Sequence, residues 1–436
     1  MNSQVPKKFV LIIPDGAADL HRENGQSPLT AARMEHTRFI AREGVCGLLQ
    51  TLYPDLAKGS IVAQLGMLGW DPRTYYPHGR ASCELLALGQ VDLFDGDLVF
   101  RTNLVTMKGG RLESYNGYYI LTEQAVSLVE RIKAATHDDF PGFELHHNSD
   151  FRNSLVIRGA GVDPREFLCA EPHENEGVEF DMSNLVRARN GTAAHLARRI
   201  NDYVACAARV LSEERANMLF PWSASKPLGL PSFSANTGFE GRVAIVGAMD
   251  FLQGIAKAGG INFYKVGNGR PSTDYAGKGA KLIELLDDGY DFVICHINGP
   301  DEASHMGDRE LKIQCLELVD EHIVRPVVAR FSRSREQLGG IMIAPDHYTN
   351  HSSRGLKTRS EAHSIEPVPF ALWNGRDRDA VTEFGEEEVR HGLYGGQPVH
   401  HLELLRILGV SRREQARMAD LPPRVAEEEQ DLHSTP

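Results

Sequence analysis

The chain lacks a CxxC pair, lacks any run approaching the ~20 apolar residues of a membrane span, and lacks an excess of positive charge. Its six cysteines (Cys46, Cys83, Cys169, Cys206, Cys295 and Cys315) are scattered, which points to reduced, mostly buried thiols in a cytoplasmic protein. The N-terminal stretch MNSQVPKKFVLIIPDG has an apolar run too short for a signal sequence with a cleavage site. We therefore expect no membrane partner. A formal net charge of -12 argues against a general nucleic-acid footprint. An acidic protein that takes an anionic substrate needs local cations, either metal ions or clustered arginines. No internal repeat is present.

What the chain does have is length and an ordinary globular composition. Its 436 residues, 42% hydrophobic and 24% charged, suffice for two domains and a large core. KKFVLIIPDG (7–16) is a continuous apolar run that reads as a buried parallel strand with Asp15 at its carboxyl end. SPLTAARMEHTRFIAREG (27–44) reads as a helix closed by Gly44. The later half repeats this grammar. RVAIVGAMD (242–250), YDFVICHINGPD (290–301) and GGIMIAPDH (339–347) read as strands, with helices over 276–289 and 308–333 between them. The pattern predicts an α/β protein with a mostly parallel sheet flanked by helices. Ligands of such sheets gather beyond the carboxyl ends of the strands, where Asp15, Asp301 and Asp346 stand.

Residues 95–220 follow a different, α+β grammar: two strands around Gly109–Gly110, a helix near 122–135, a short strand NSLVIRG and a helix near 189–211. We expect an inserted smaller α+β domain over 81–220, a larger domain from 1–80 and 221–422, and a disordered acidic tail over 423–436.

Three segments concentrate metal-binding residue types. GPDEASHMGD places Asp301 and His305 four apart, on one face of a helical turn. APDHYTN sets Asp346 and His347 side by side at a strand end, and SEAHSIEPVPF adds His363. Asp15 and Ser60 supply oxygens from the N-terminal part. A mixed N/O set of this size suits two divalent ions, Mn²⁺ or Zn²⁺ rather than Ca²⁺. Two such ions can clamp a phosphoryl group and lower a hydroxyl's pKa. Taken singly, each residue has a plainer reading. Ser60 in AKGSIVAQLGMLGWDP is a natural helix N-cap, and DxxxH is a common surface pair. The metal reading rests on their joint placement at strand ends.

Taken in order, PDG, GSIVAQLGMLGWDP, VFRTNLVT, DFRNSLVI, GPDEASHMGD, PDH and AHSIEPVPF resemble the cofactor-independent phosphoglycerate mutases of archaeal type, within the alkaline phosphatase superfamily. The resemblance runs from about residue 8 to 408. It implies an alkaline-phosphatase-like fold and a nucleophile at Ser60 that carries a phosphoryl group between two hydroxyls of the substrate. It implies one metal held by Asp15, Ser60, Asp346 and His347, and another held by Asp301, His305 and His363. The ions would be Mn²⁺, with Zn²⁺ or Mg²⁺ as alternatives, and no bisphosphoglycerate would be needed. The substrate would be a small phosphorylated hydroxy acid, 3-phosphoglycerate converting to 2-phosphoglycerate. Arg80, Arg101, Asn103, Arg152 and His173 fall on the family's substrate-side motifs, where arginines grip phosphate or carboxylate bidentately.

The chain departs from the family pattern at several substrate-side positions. An acid is replaced by Ile61, an asparagine by Gln64 and an arginine by Trp222, and Trp222 with Lys226 is similar to a bacterial mutase-like branch. These changes leave two other readings open: a mutase or phosphotransferase of a specialised, phosphonate-related pathway, and a phosphatase of the same superfamily.

Overall fold

The computed structural model describes residues 5–89, 91–351 and 362–411. The expected tail over 423–436, and residues 412–422 before it, lie outside the described residues. Among the described residues, eight strands form one sheet. Their order is Asn262–Lys265, Val243–Gly247, Phe292–Ile297, Lys8–Pro14, Leu338–Ile343, Val368–Trp373, Val45–Gln50, Tyr394–His400. Val368–Trp373 runs antiparallel to its two neighbours, and the other pairs are parallel. The mostly parallel α/β sheet is thus the one the apolar runs predict.

Phe292–Ile297 and Leu338–Ile343 are buried at every residue, as unbroken apolar strands covered on both faces require. Along Lys8–Pro14, Val10 and Ile12 join one core cluster while Leu11 and Ile13 join the other. Successive side chains of a strand point to opposite faces. Helices Tyr275–Asp287, Arg309–Val319 and Arg325–Arg333 cover the first face. Ser60–Met67 and Asp250–Ala258 cover the second.

The single helix expected over 27–44 is two helices, Pro28–Ala31 and Glu35–Arg42. Ala32 turns extended (ψ 140°). The second helix has no side-chain cap of its own at Met34. Its free amides are satisfied from elsewhere: Asp320 accepts from the backbone N–H of His36 (3.1 Å) and of Thr37 (2.7 Å). Asp320 in turn opens a π-helical turn, Asp320–Val324, inside the helix expected over 308–333. Gly279 packs directly against the His322 carbonyl of that turn, where a Cβ would collide.

A second sheet is antiparallel, with strands Arg111–Ser114, Leu98–Lys108, Arg152–Ile157 and Phe143–Ser149, and Met218–Ser225 paired to Leu98–Lys108. Leu98, Phe100 and Leu104 face helices Thr122–Thr136 and Gly191–Val210. By strand alternation Arg101 and Asn103 point to the opposite face. The strand Met218–Ser225 crosses the expected boundary at residue 220. Helix Ala81–Leu88 lies against Asp250–Ala258, with Gly254 against the Cys83 carbonyl.

Candidate active site

Phe292–Ile297, Lys8–Pro14 and Leu338–Ile343 are adjacent and parallel, so their carboxyl ends share one edge. Asp15 follows Lys8–Pro14 directly. Asp301 and His305 lie in helix Gly299–His305, which starts two residues after its strand ends. Asp346 and His347 follow Leu338–Ile343. His363 arrives on a two-residue strand paired with Tyr348–Thr349. Ser60 heads helix Ser60–Met67. It is not the N-cap: Gly59 occupies that position with an extended backbone. One residue inside the helix, the hydroxyl is turned instead toward His347 Nε2, at 3.1 Å.

These seven residues converge. His347 Nε2 is 3.3 Å from Asp15 Oδ1 and 3.6 Å from Asp346 Oδ2. Asp301 Oδ1 is 3.4 Å from both His305 Nε2 and His363 Nε2, which stand 3.2 Å apart. The His347 and His363 rings, with centroids 4.2 Å apart, join the two groups. Thr349 Oγ1 donates to Asp301 Oδ1 at 2.8 Å and lies 3.1 Å from His347 Nδ1. A hydroxyl has one hydrogen to donate, and here it is directed at Asp301. Thr349 must then accept from His347 Nδ1–H, which leaves the Nε2 lone pair facing Ser60, Asp15 and Asp346.

The electrostatics are those of a cation site. Burial, with the nearby carboxylates of Asp346 and Asp301, pushes the Asp15 carboxyl well above its usual range. Burial also pushes Asp301 up, but hydrogen bonds and charge from His305 and His363 overcome it and hold this carboxyl well below. Burial lowers His347 and takes His296 down to about 4. Both Asp15 oxygens and both His296 ring nitrogens are buried without a hydrogen-bond partner among the described residues. Orphaned carboxylate oxygens grouped with neutral imidazoles fit a divalent metal. The N/O donors present suit Mn²⁺ or Zn²⁺.

Sequence reasoning passed over His296, Thr349 and Glu84. His296 is a lone histidine in an apolar strand and reads as core. Its one signal is its place five residues before Asp301. Of the altered positions, Gln64 donates from Nε2 to Asp346 Oδ2 at 3.2 Å. Ile61 is buried in the apolar layer beneath the sheet.

Arg80, Arg101, Asn103, Arg152 and His173 line the same cleft as Ser60, Asp301, His305 and His363; its volume is about 2210 Å³. Strand register sets Arg101 opposite Trp222 and Asn103 opposite Arg152. Arg101 lies over the Trp222 ring at 4.1 Å, and its Nε is 3.0 Å from Glu84 Oε2. Burial lowers its guanidinium to about 10 despite that carboxylate. Asn103 is engaged at both ends, accepting from Trp222 Nε1 (3.0 Å) and donating to the Tyr115 carbonyl (3.1 Å). His173 packs with its ring centroid 5.3 Å from that of Trp222. Arg152 lies over Phe151 at 4.2 Å, 3.8 Å from Asp150. Arg80 lies 5.8 Å from the Phe251 ring centre.

Comparison with known proteins gives consistent matches. The profile of the 2,3-bisphosphoglycerate-independent phosphoglycerate mutase family matches residues 41–217. The chain is 33% identical over 419 residues to the enzyme of that name from Methanothrix thermoacetophila, covering 92% of this chain and 99% of the relative. A probable enzyme of the same name from Geobacter sulfurreducens is 30% identical, covering 88% and 95%. Two solved structures share the fold. A protein from Pyrococcus horikoshii has a TM-score of 0.72 at 24% identity, covering 94% of this chain and 100% of that one. The cofactor-independent phosphoglycerate mutase from Thermoplasma acidophilum has a TM-score of 0.60 at 24% identity, covering 92% and 99%.

Proposed function

The chain belongs to the 2,3-bisphosphoglycerate-independent phosphoglycerate mutase family, and from that premise we propose that it interconverts 3-phosphoglycerate and 2-phosphoglycerate by covalent transfer through Ser60, with divalent metal ions bound beside it. The observation that carries this reading is the meeting of Ser60 Oγ with His347 Nε2 at 3.1 Å, beside the buried Asp15 and Asp346, with both Asp15 oxygens lacking a hydrogen-bond partner among the described residues.

Asp15, Ser60, Asp346 and His347 would hold one ion, and Asp301, His305 and His363 the other. Bound there, the ions supply positive charge that lowers the Ser60 hydroxyl's pKa and offsets charge on the phosphoryl oxygens. Ser60 Oγ loses its proton and attacks phosphorus. The bond from phosphorus to the substrate's C3 oxygen breaks, and that oxygen takes a proton. Glycerate then presents its C2 hydroxyl, whose oxygen loses its proton and attacks the same phosphorus. The Ser60 oxygen leaves and is reprotonated. Phosphorus never departs the site, so no bisphosphoglycerate is consumed. The first amides of helix Ser60–Met67 favour a phosphate on its leading residue. Arg80, Arg101 and Arg152, across the cleft, would grip the carboxylate and hold glycerate between the two transfers. Exclusion of water matters, since water would hydrolyse the phosphoserine.

A second reading keeps the same transfer but enlarges the substrate to a modified phosphoglycerate. Its support is on the small-sheet wall, where Arg101 is already paired with Glu84 and covered by Trp222. Asn103 is likewise tied to Trp222 and Tyr115. The test is an enolase-coupled assay on Mn²⁺-loaded protein without bisphosphoglycerate, followed in parallel by phosphorus NMR. Mutase activity is expected. Release of inorganic phosphate alone would assign a phosphatase, and transfer only within a larger analogue would favour the second reading.

A further inference from the structure

His296 is the penultimate residue of strand Phe292–Ile297 and is 1% exposed. Neither ring nitrogen has a hydrogen-bond partner among the described residues. Nε2 lies 3.4 Å from Asp15 Oδ2. His296, Asp15 and Asp346 each offer a donor atom within 4.8 Å of the others. A buried cation on a packed helix, Lys278 Nζ, donates to the His296 carbonyl at 3.2 Å, so the backbone engages it. The Phe251 ring stands edge-on at 6.5 Å.

A buried imidazole that makes no hydrogen bond calls for an explanation, and so do the two bare oxygens of Asp15. One explanation serves both. Donors about 2.1 Å from a common ion stand roughly 3–4 Å from each other, and the 3.4 Å between His296 Nε2 and Asp15 Oδ2 falls in that range. Asp15 turns Oδ1 toward His347 and Oδ2 toward His296. His347 and His296 thus stand beside the two oxygens of one carboxylate.

We propose that His296 is a direct ligand of the ion held by Asp15 and Asp346. The proposal rests on the metal-dependent reading above and adds a donor that neither motif spacing nor family resemblance assigns. With His296 included, Asp15, Ser60, Asp346, His347 and His296 give that ion five protein donors. Five exceeds the four of a closed tetrahedral zinc site and suits Mn²⁺.

The test uses the full-length chain stripped of metal and titrated with Co²⁺ and Mn²⁺. His296→Cys loaded with Co²⁺ is expected to gain a near-ultraviolet thiolate-to-cobalt charge-transfer band that the wild type lacks. A residue that only positions Asp15 would not produce this band. In calorimetry, His296→Gln is expected to weaken one Mn²⁺ binding event at least tenfold and leave the other unchanged. Two cobalt ions bound to His296→Cys with no thiolate band would overturn the assignment, while the metal-dependent function stands. So would a His296→Gln variant that binds both Mn²⁺ ions as the wild type does. A wild type that binds no ions would overturn both readings together. Circular dichroism of each variant verifies the fold.

Discussion

At the scale of the residue, the chemistry turns on which way a few small groups face. Gly59 takes the capping position, so the Ser60 hydroxyl is free to meet His347. Ser60→Ala removes only that oxygen. It is expected to lower kcat by about 10³-fold or more while leaving the melting temperature within a degree or two. Turnover at wild-type rate would rule out the covalent route. Thr349 acts one step further back, because its hydroxyl donates to Asp301 and is left to accept from His347 Nδ1–H, which fixes the His347 tautomer. Thr349→Val keeps the shape and loses the acceptor. Mn²⁺ affinity should fall about 10–100-fold by calorimetry, and Thr349→Ser should restore most of it. Equal affinity in the valine variant would mean that the threonine does not orient the ring. The metal-type residues were legible because they cluster in short motifs beyond apolar runs. His296 was not. A histidine flanked by Val293, Ile294, Cys295 and Ile297 looks like core, and only the sheet shows that its ring meets Asp15.

At the scale of the element, legibility follows burial on two faces. Lys8–Pro14, Phe292–Ile297 and Leu338–Ile343 were readable as strands because each is nearly all apolar. Phe143–Ser149, with sequence FELHHNS, carries no such run. Its structure comes from pairing with Arg152–Ile157. The break between Pro28–Ala31 and Glu35–Arg42 was equally hidden, because the cap that permits it stands 283 residues away in sequence, where Asp320 binds Thr37. Asp320 accepts from both the Thr37 amide and its hydroxyl, each at 2.7 Å, as well as from the His36 amide. Asp320→Ala leaves these buried donors bare. It is expected to cost about 2–3 kcal/mol in urea denaturation, with Asp320→Asn recovering part of the loss. A change below about 0.5 kcal/mol would show that the π turn does not cap the helix.

At the scale of the whole molecule, the loops that carry the candidate metal ligands are fastened to the helical layer by one buried network. Lys312 Nζ donates to Asp19 Oδ2 (3.0 Å), to the Thr349 carbonyl (2.8 Å) and to the Ala18 carbonyl (3.3 Å). Asp19 also accepts from the His351 amide at 3.0 Å, and the Asp19 amide donates to Glu386 at 3.1 Å. The loops after Asp15 and after His347 thus share a single ammonium, which couples the two halves of the candidate site through the same helix. Burial raises the Asp19 carboxyl, but Lys312 and the His21 amide outweigh it and hold its pKa below the ordinary value. A carboxyl lowered on folding stabilises the protein above its unfolded pKa of about 3.9. That stabilisation is lost as pH falls through the lower folded value. The Asp19 contribution, read in urea as the difference between wild type and Asp19→Asn, should therefore be level near neutral pH and fall below about pH 4. Asp19→Asn should start lower and show a shallower acid slope, because the titrating group is gone. Lys312→Met should lose about 3–5 kcal/mol at neutral pH, since it strands a buried carboxylate without its cation. That loss should shrink on acidification as Asp19 takes up a proton. A Lys312→Met deficit that stays constant from pH 7 to pH 3 would mean that the ammonium packs there without fastening the loops through charge.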